Sequence, residues 1–529
     1  MERAGGELKV GIMSTRRRRA TMETKGLLKK SAWLPLVCFV GCLPVFAGDG
    51  NAPSGQGTPP TAAQVSLSQL TTSSERASNE SASSVSACAG DDSAASAPKI
   101  PANAAATPVP DTVACWTPAK YVNAGLPSWL RFSGEFRNRE EGRTSYGFTP
   151  GDNDAYGLTR LRIGFDVLPN SWFHAFVQAR DSEVIGANPQ HVTSSMKDVL
   201  DLNQAYIELR NGEHAWISLK TGRQELVFGD ERLIARSDWS NATRSFDAAR
   251  LTLGRQDIGA LLDVFASSVV KDYPTSLDRV QPGHNFYGVN LALTKLVPKA
   301  SIEPYVYLKT APSVTAVDKT TGDERLYTSG LRWAGIIPGG LDYRARYSVQ
   351  SGHYADDTIH AWAAYGILGY TVQETRLEPR FSIEYNYASG NKAIGSSVIG
   401  TFDLLYPTTH QWRRLTDLFG EENIRDFKPG FDIRPARKMK AYFVVSELSL
   451  ASRYDGVYDN TGAVLVKVPK GGARSTDIGK EGDLFGTYDV NRRLQIGAGF
   501  GHLIAGRFLK QASPGGNASY PYAFADYHF

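Results

Sequence analysis

Arginine at alternate positions is the feature of this 529-residue chain that most suggests chemistry. Arg160 with Arg162, Arg344 with Arg346, and Arg376 with Arg380 stand an even number of residues apart, which in an extended strand puts each pair on one face. Arg180, Arg210, Arg250 and Arg332 fit the same scheme. Acids share these faces: Glu135, Asp166, Glu208, Asp263, Glu303, Asp342, Glu378, Glu384, Glu481 and Asp483. A guanidinium is permanently charged and grips carboxylates through paired hydrogen bonds, so a ring of them selects for anions. The plainer reading is a hydrated lining of mutually paired charges, which any water-filled bore needs. Both signs are present, so charge alone does not choose an anionic solute.

Catalytic patterns are missing from the sequence. It holds no HExxH zinc helix, no phosphate-binding loop and no nucleophile elbow, and its nine histidines are scattered singly. Asp152-Asn153-Asp154 begins like a calcium loop, but Tyr156 stands where the next oxygen ligand belongs and no glutamate closes the motif, so an ordinary polar loop is expected. No cofactor or metal is expected, no Ser/His pair can be nominated, and the chain is read as a non-enzyme.

The elements that must hold these side chains are strands. From about residue 127 to Phe529 the sequence runs in segments of about ten residues that alternate apolar and polar and are separated by Gly, Pro, Asn and Asp clusters. In Leu341–Gln350 one face carries Leu341, Tyr343, Ala345, Tyr347 and Val349, and the other Asp342, Arg344, Arg346, Ser348 and Gln350. Arg376–Ala388 follows the same pattern and is predicted as a second strand. Short turns (168–171, 211–214, 254–257, 295–300, 336–340, 372–375, 435–438, 490–493) alternate with longer connections (139–155, 181–198, 225–244, 271–283, 310–324, 389–423, 452–475, 506–517). That alternation predicts an all-β, up-and-down antiparallel transmembrane barrel of about eighteen strands, with the short turns and both termini on the periplasmic side. Trp172, Trp216, Trp333, Trp362, Tyr520 and Tyr527 fall near strand ends, where interfacial girdles form.

The first 47 residues hold nine Lys/Arg against three Glu, so the formal charge of +4 becomes about −2 for the remainder, and nucleic acid is excluded as a partner. Basic residues followed by the apolar run Ala32–Ala47 make residues 1–47 a signal peptide, with Met22 as an alternative start and Val40-Gly41-Cys42 only a faint lipoprotein box. Residues 48–126, rich in Ala, Ser, Thr and Pro, form a disordered leader, and residues 127–529 form the barrel. Whether Cys88 and Cys115 pair is left open. The location read from these features is the bacterial outer membrane, in contact with its lipid. The last strand ends in Phe529, which resembles the signal read by the barrel assembly machinery.

Several strings are less generic. Thr221-Gly222-Arg223-Gln224-Glu225-Leu226, Gly229-Asp230-Glu231-Arg232-Leu233-Ile234, Asp238-Trp239-Ser240-Asn241 and Arg244-Ser245-Phe246-Asp247 follow one another. Leu405-Tyr406-Pro407-Thr408-Thr409-His410, Asn423-Ile424-Arg425-Asp426 and Asp477-Ile478-Gly479-Lys480-Glu481-Gly482-Asp483-Leu484 come later. In this order they resemble the alginate export family over roughly Leu130–Phe529, with departures at Lys480 and Gly482. The resemblance implies an eighteen-stranded barrel whose constricted, electropositive pore passes an acidic polysaccharide outward under the control of loops, with periplasmic export components as further partners. It also implies a pore-lining role for Arg223, with Asp238 as a constriction partner; a structural ion pair at a strand end explains Arg223 equally well. Two other readings stand beside export: a general or sugar-selective uptake porin, and an adhesin or scaffold whose outer loops bind surface polymer.

Overall fold

The computed structural model describes residues 117–529 apart from 213–215, 256, 317–318, 409 and 411–413. The expected signal peptide and the leader as far as residue 116 lie outside the described residues. The end of the leader range is helical: α1 (Pro118–Ala124) starts with proline at its first turn, and the Thr117 side chain accepts from the Lys120 N–H at 3.0 Å. Asn123 then clasps the backbone of Phe132 through its N–H (2.7 Å) and carbonyl (2.9 Å), seating α1 at the base of the first strand.

The wall is one closed antiparallel sheet. Its strands are β1 (Leu130–Arg143), β2 (Asp154–Asn170), β3 (Phe173–Ile185), β4 (Asp198–Arg210), β5 (Ile217–Gln224), β6 (Phe246–Arg255), β7 (Ala260–Lys271), β8 (Arg279–Leu293) and β9 (Ala300–Thr315). There follow β10 (Thr321–Ile337), β11 (Leu341–Tyr354), β12 (Asp357–Thr371) and β13 (Arg380–Ala388). After the two-residue β14 (Val398–Ile399) come β15 (Ile424–Ala436) and β16 (Met439–Leu450), the short pair β17 (Val457–Tyr458) and β18 (Val464–Val466), and finally β19 (Asp477–Asp489), β20 (Leu494–Ala505) and β21 (Ala518–His528). Each long strand pairs with its sequence neighbours and β21 pairs with β1, which closes eighteen strands into a barrel. The short pieces belong to the outer loops: β14 runs parallel beside the top of β12, and β17 pairs with β18. A further helix, α2 (Arg507–Ala512), sits in the last outer connection. No helix among the described residues is long and apolar enough to cross a membrane, so strands do the spanning.

The period-two rule holds on the wall. In β12, buried and outward residues alternate from Asp357 to Tyr370, and the outward positions of the sheet carry Phe381, Ile383, Leu368 and Leu484 at 54–58% exposure. Such a surface is stable against hydrocarbon, and in water it would be an aggregation hazard. Trp172, Trp216, Trp333 and Trp362 are exposed on this face. Tyr520 is not: it is buried inside the barrel against Tyr522 and His410, because its parity on β21 is inward.

Two further expectations need correction. The predicted strand Arg376–Ala388 starts only at Arg380; Arg376 and Glu378 belong to the 372–379 turn, where Glu378 meets Arg434 at 2.9 Å. Pro379 carries no N–H for a ladder, so pairing begins after it. The outer connection between β11 and β12 is only Ala355 and Asp356, so long loops are not universal on that side.

One glycine lets the end of the chain fit against β1. The N–H and carbonyl of Gly134 exchange hydrogen bonds with Phe529 at 2.9 Å each, and a Cβ at Gly134 would lie 2.3 Å from the Phe529 ring. The missing side chain lets the terminal aromatic lie flat across β1, beside Phe132 at 5.9 Å.

Candidate functional site

Two outer connections fold back into the lumen, and they decide what the arginines do. The first runs from Glu225 to Ser245 between β5 and β6. Its Leu226, Phe228, Leu233 and Ile234 are buried against Phe265, Phe286, Tyr305 and Tyr307, inward residues of β7 to β9. Phe228 stacks on Phe265 with ring centroids 5.3 Å apart. This stretch of inner wall is therefore apolar, and it is dry because the loop covers it; each such side chain contributes about 1.5–3 kcal/mol of burial. The second connection, 389–423, meets the first across the lumen. Ala235 N–H donates to the Tyr406 carbonyl (2.8 Å), Tyr406 N–H to Leu233 (2.8 Å) and Thr408 N–H to Glu231 (2.9 Å), a short ladder between loops that are far apart in sequence.

Against this partition the strand arginines form three groups. On β1 and β2, Arg137, Arg139 and Arg160 point at the tip of the first loop and donate to its backbone. Arg137 reaches the carbonyls of Asp238 (2.7 Å), Trp239 and Ser240 (3.1 Å each), Arg139 reaches Trp239 (2.6 Å) and Arg160 reaches Asp238 (2.8 Å). The Asp238 carboxylate lies 3.0 Å from Arg162, 3.2 Å from Arg160 and 4.0 Å from Arg236. Glu135 pairs with both Arg160 and Arg162 from below. Burial alone would push the Asp238 carboxyl up, yet Arg160, Arg236 and Arg162 together hold it well below the usual carboxylate range. Trp239 is clamped at the same tip, stacked on His410 at 3.7 Å with the Arg139 guanidinium 3.9 Å from its ring.

A second group surrounds Arg232 of the loop, which is 1% exposed and reaches Glu384 (2.9 Å), Asn386 (2.9 Å) and Glu421 (3.1 Å). Arg346 approaches Glu421 at 3.5 Å, Arg332 pairs with Glu303 at 2.5 Å, and Tyr365 donates to Asp230. Under the second loop, Glu481 accepts from the N–H (3.1 Å) and hydroxyl (2.8 Å) of Thr416. The third group faces the half of the barrel nearer the short turns, where the side chains are partly open to water. His174 stands opposite Glu208, Glu208 opposite Lys220 and Lys220 opposite Arg250, a row carried across four strands by register. Arg210 pairs with Glu208 (3.0 Å), Arg250 with Asp263 (2.7 Å) and Arg380 with Asp342 (2.8 Å) and Asp432 (2.9 Å), while Arg344 is half-buried on the same wall.

Of the residues singled out from sequence, Arg160, Arg162, Arg180, Arg346 and Glu481 are inward but buried, not water-facing, because the loops lie over them. Arg210, Arg250, Arg344, Arg380 and Glu384 are inward and half-buried, and Asp238 joins Arg160 and Arg162. Arg223 and Arg376 are not in this assembly. Lys220 faces in, so Arg223, three residues on, faces out with Leu219; it pairs with Asp247 at 2.8 Å and donates to the carbonyls of Leu202 and Asp278 at 3.3 Å. The ion-pair explanation of Arg223 is thus the one its surroundings match. Arg137 and Arg139 were missed, although they continue the alternation of Glu135; Arg232, Arg236 and Glu421 lie on loops, where no periodicity points to them.

Residues 128–524 match the profile of alginate export proteins, three-quarters of the chain. The chain belongs to the alginate export family. Among solved structures, the barrel is similar to Pseudomonas aeruginosa OccK3 (OpdO), at 12% identity and a TM-score of 0.52, over 78% of this chain and 99% of that one. It is also similar to Pseudomonas aeruginosa OpdL (12%, TM-score 0.51, 76% and 98%) and to the outer membrane protein OpdK of the same organism (11%, TM-score 0.50, 76% and 98%). At these identities the likeness is one of fold. By sequence, no curated protein matches the chain. Family and fold together make this alginate export family member a bacterial outer-membrane channel for solutes, bounded by membrane lipid.

Proposed function

We propose that the channel carries an anionic, alginate-like polysaccharide outward, with guanidinium groups at the constriction trading internal acceptors for the carboxylates of the passing chain. The observation that carries this reading is Asp238. It is a loop carboxylate, 37% exposed, held by Arg160 and Arg162. A pocket of arginines that holds one carboxylate at the edge of the lumen offers the same charge and geometry to a uronate. Family membership supports the substrate class. The half-buried cations Lys220, Arg250 and Arg380 on the periplasmic side would receive the polymer first, handed over by periplasmic export components, and the barrel assembly machinery would insert the chain by its last strand.

Planar-bilayer recording on the purified protein tests the proposal. The expected result is an anion-selective pore that polyuronate blocks from the periplasmic side, with Arg162→Gln weakening the block by roughly tenfold, about 1.4 kcal/mol. A cation-selective pore indifferent to polyuronate would sink it. Rapid permeation of neutral oligosaccharides, unaffected by Arg162→Gln, would favour an uptake porin instead, and a total lack of conductance would favour the adhesin.

A further inference from the structure

Four aspartates meet where β4 begins and the connection from β7 to β8 crosses it, joined to the Asp238 site through Thr243, whose hydroxyl accepts from both Arg162 (3.2 Å) and Arg180 (3.0 Å). Asp198 and Asp201 are three apart, which in a regular strand puts them on opposite faces. Here Leu200 adopts φ 30°, and the β3–β4 ladder breaks register between Gln178 and Ala179 and between Arg180 and Ser182. The bulge turns both aspartates inward, 0% and 4% exposed, and leaves Leu200 outside at 67%. Asp278 comes down from the neighbouring loop and is 7% exposed.

Carboxylate oxygens of Asp198, Asp201 and Asp278 lie within 4.8 Å of one another, the widest spacing two oxygens can have around one ion at about 2.4 Å from each. Arg180 is the cation in ion-pair reach among the described residues: it touches Asp198, lies 3.4 Å from Asp278 and 3.8 Å from Asp272. Arg180 therefore reaches three of the four carboxylates, and Arg223, which donates to the Asp278 carbonyl at 3.3 Å, stands at the edge of the cluster, so four acids in a largely dry place are answered by fewer cations. Asp198, fully buried, also leaves its Oδ1 without any hydrogen-bond donor; the Oδ1 of Asp272 lacks one too but has the Arg180 guanidinium 3.8 Å away. A buried carboxylate oxygen with no donor needs a positive partner.

We infer that this cluster binds a divalent cation of calcium's size, with Asp198, Asp201 and Asp278 as carboxylate ligands and Asp272 completing the negative field. All the donors are hard oxygens, with no His or Cys, which suits calcium and not zinc, and three protein oxygens leave places for water in a shell of six to eight. The ion ties the β7–β8 connection to β4. It also acts on the lumen, because Arg180 donates through Nη1 to the Thr243 carbonyl (2.6 Å) and hydroxyl (3.0 Å) at the root of the first in-folded loop.

The test is calorimetric titration of the full chain, purified in detergent and stripped with chelator, against calcium chloride, with thermal unfolding in parallel. One saturable site is expected, with an unfolding midpoint several degrees higher when calcium is present. Asp201→Asn and Asp278→Asn should each weaken binding by about tenfold or more, with a heat-shifted gel band confirming an intact barrel. Asp152→Asn, in a different loop, should bind as wild type. Absence of saturable binding, wild-type affinity in an Asp201→Asn/Asp278→Asn double variant, or tighter binding of magnesium than of calcium would each overturn the assignment.

Discussion

A guanidinium in this barrel is defined by its acceptor more than by its position. Arg160 and Arg223 belong to the same charge class, yet one is fully buried against loop carbonyls and the other braces the outside of the wall. Arg223→Ala is therefore expected to leave ion selectivity unchanged in bilayers, in contrast to Arg162→Gln; a marked fall in anion preference would place it in the conduction path after all. Glu231, on the first loop, is a residue whose charge changes near neutrality. Burial pushes its carboxyl up to about 7 from 4.5. A raised acid binds its proton more tightly in the fold, so the associated stability is complete below the ordinary glutamate range and is lost as pH climbs through 7, a difference on the order of 3 kcal/mol. Glu231→Gln should thus be the more stable protein at pH 8 and match wild type in acid, read as unfolding midpoints; equal midpoints at both pH values would refute the buried-acid account. The sidedness of Arg223 was legible, since Leu219, Thr221 and Arg223 share one parity in β5. The environment of Glu231 was not, because no period governs a loop.

At the scale of elements, the eighteen long strands and the places of the eight short turns could be read from alternation and turn residues, although the turn at 372–375 runs on to Pro379. A lipid-facing strand must present an apolar side chain at every second position, and that demand is local. The in-folding of 225–245 and 389–423 could not be read so, although one hint was present: Phe265, Phe286, Tyr305 and Tyr307 put aromatics on faces that a water-filled lumen would not favour. An apolar inner wall needs a cover. Phe228→Ala removes the ring that stacks on Phe265, at a cost of about 3–5 kcal/mol to the docked loop. Single-channel conductance should rise as the loop leaves the wall, and unaltered conductance would mean that this loop does not limit the current.

For the molecule as a whole, closure joins its two extremes, β1 to β21, over a residue without a side chain. Gly134→Leu should clash with the Phe529 ring, and the share of protein running as the compact, heat-shifted form on gels should drop well below wild type; full recovery would show that closure tolerates a side chain there. The sequence alone determined the wall: its strand number, its greasy outside, its short periplasmic turns and its membrane, since each follows from a rule acting between near neighbours. Tertiary structure alone decided the lumen. Arg137 finds its acceptor 101 residues away and Arg232 meets Glu421 at a separation of 189, distances that no periodicity spans and that only the folding back of two loops brings within a hydrogen bond.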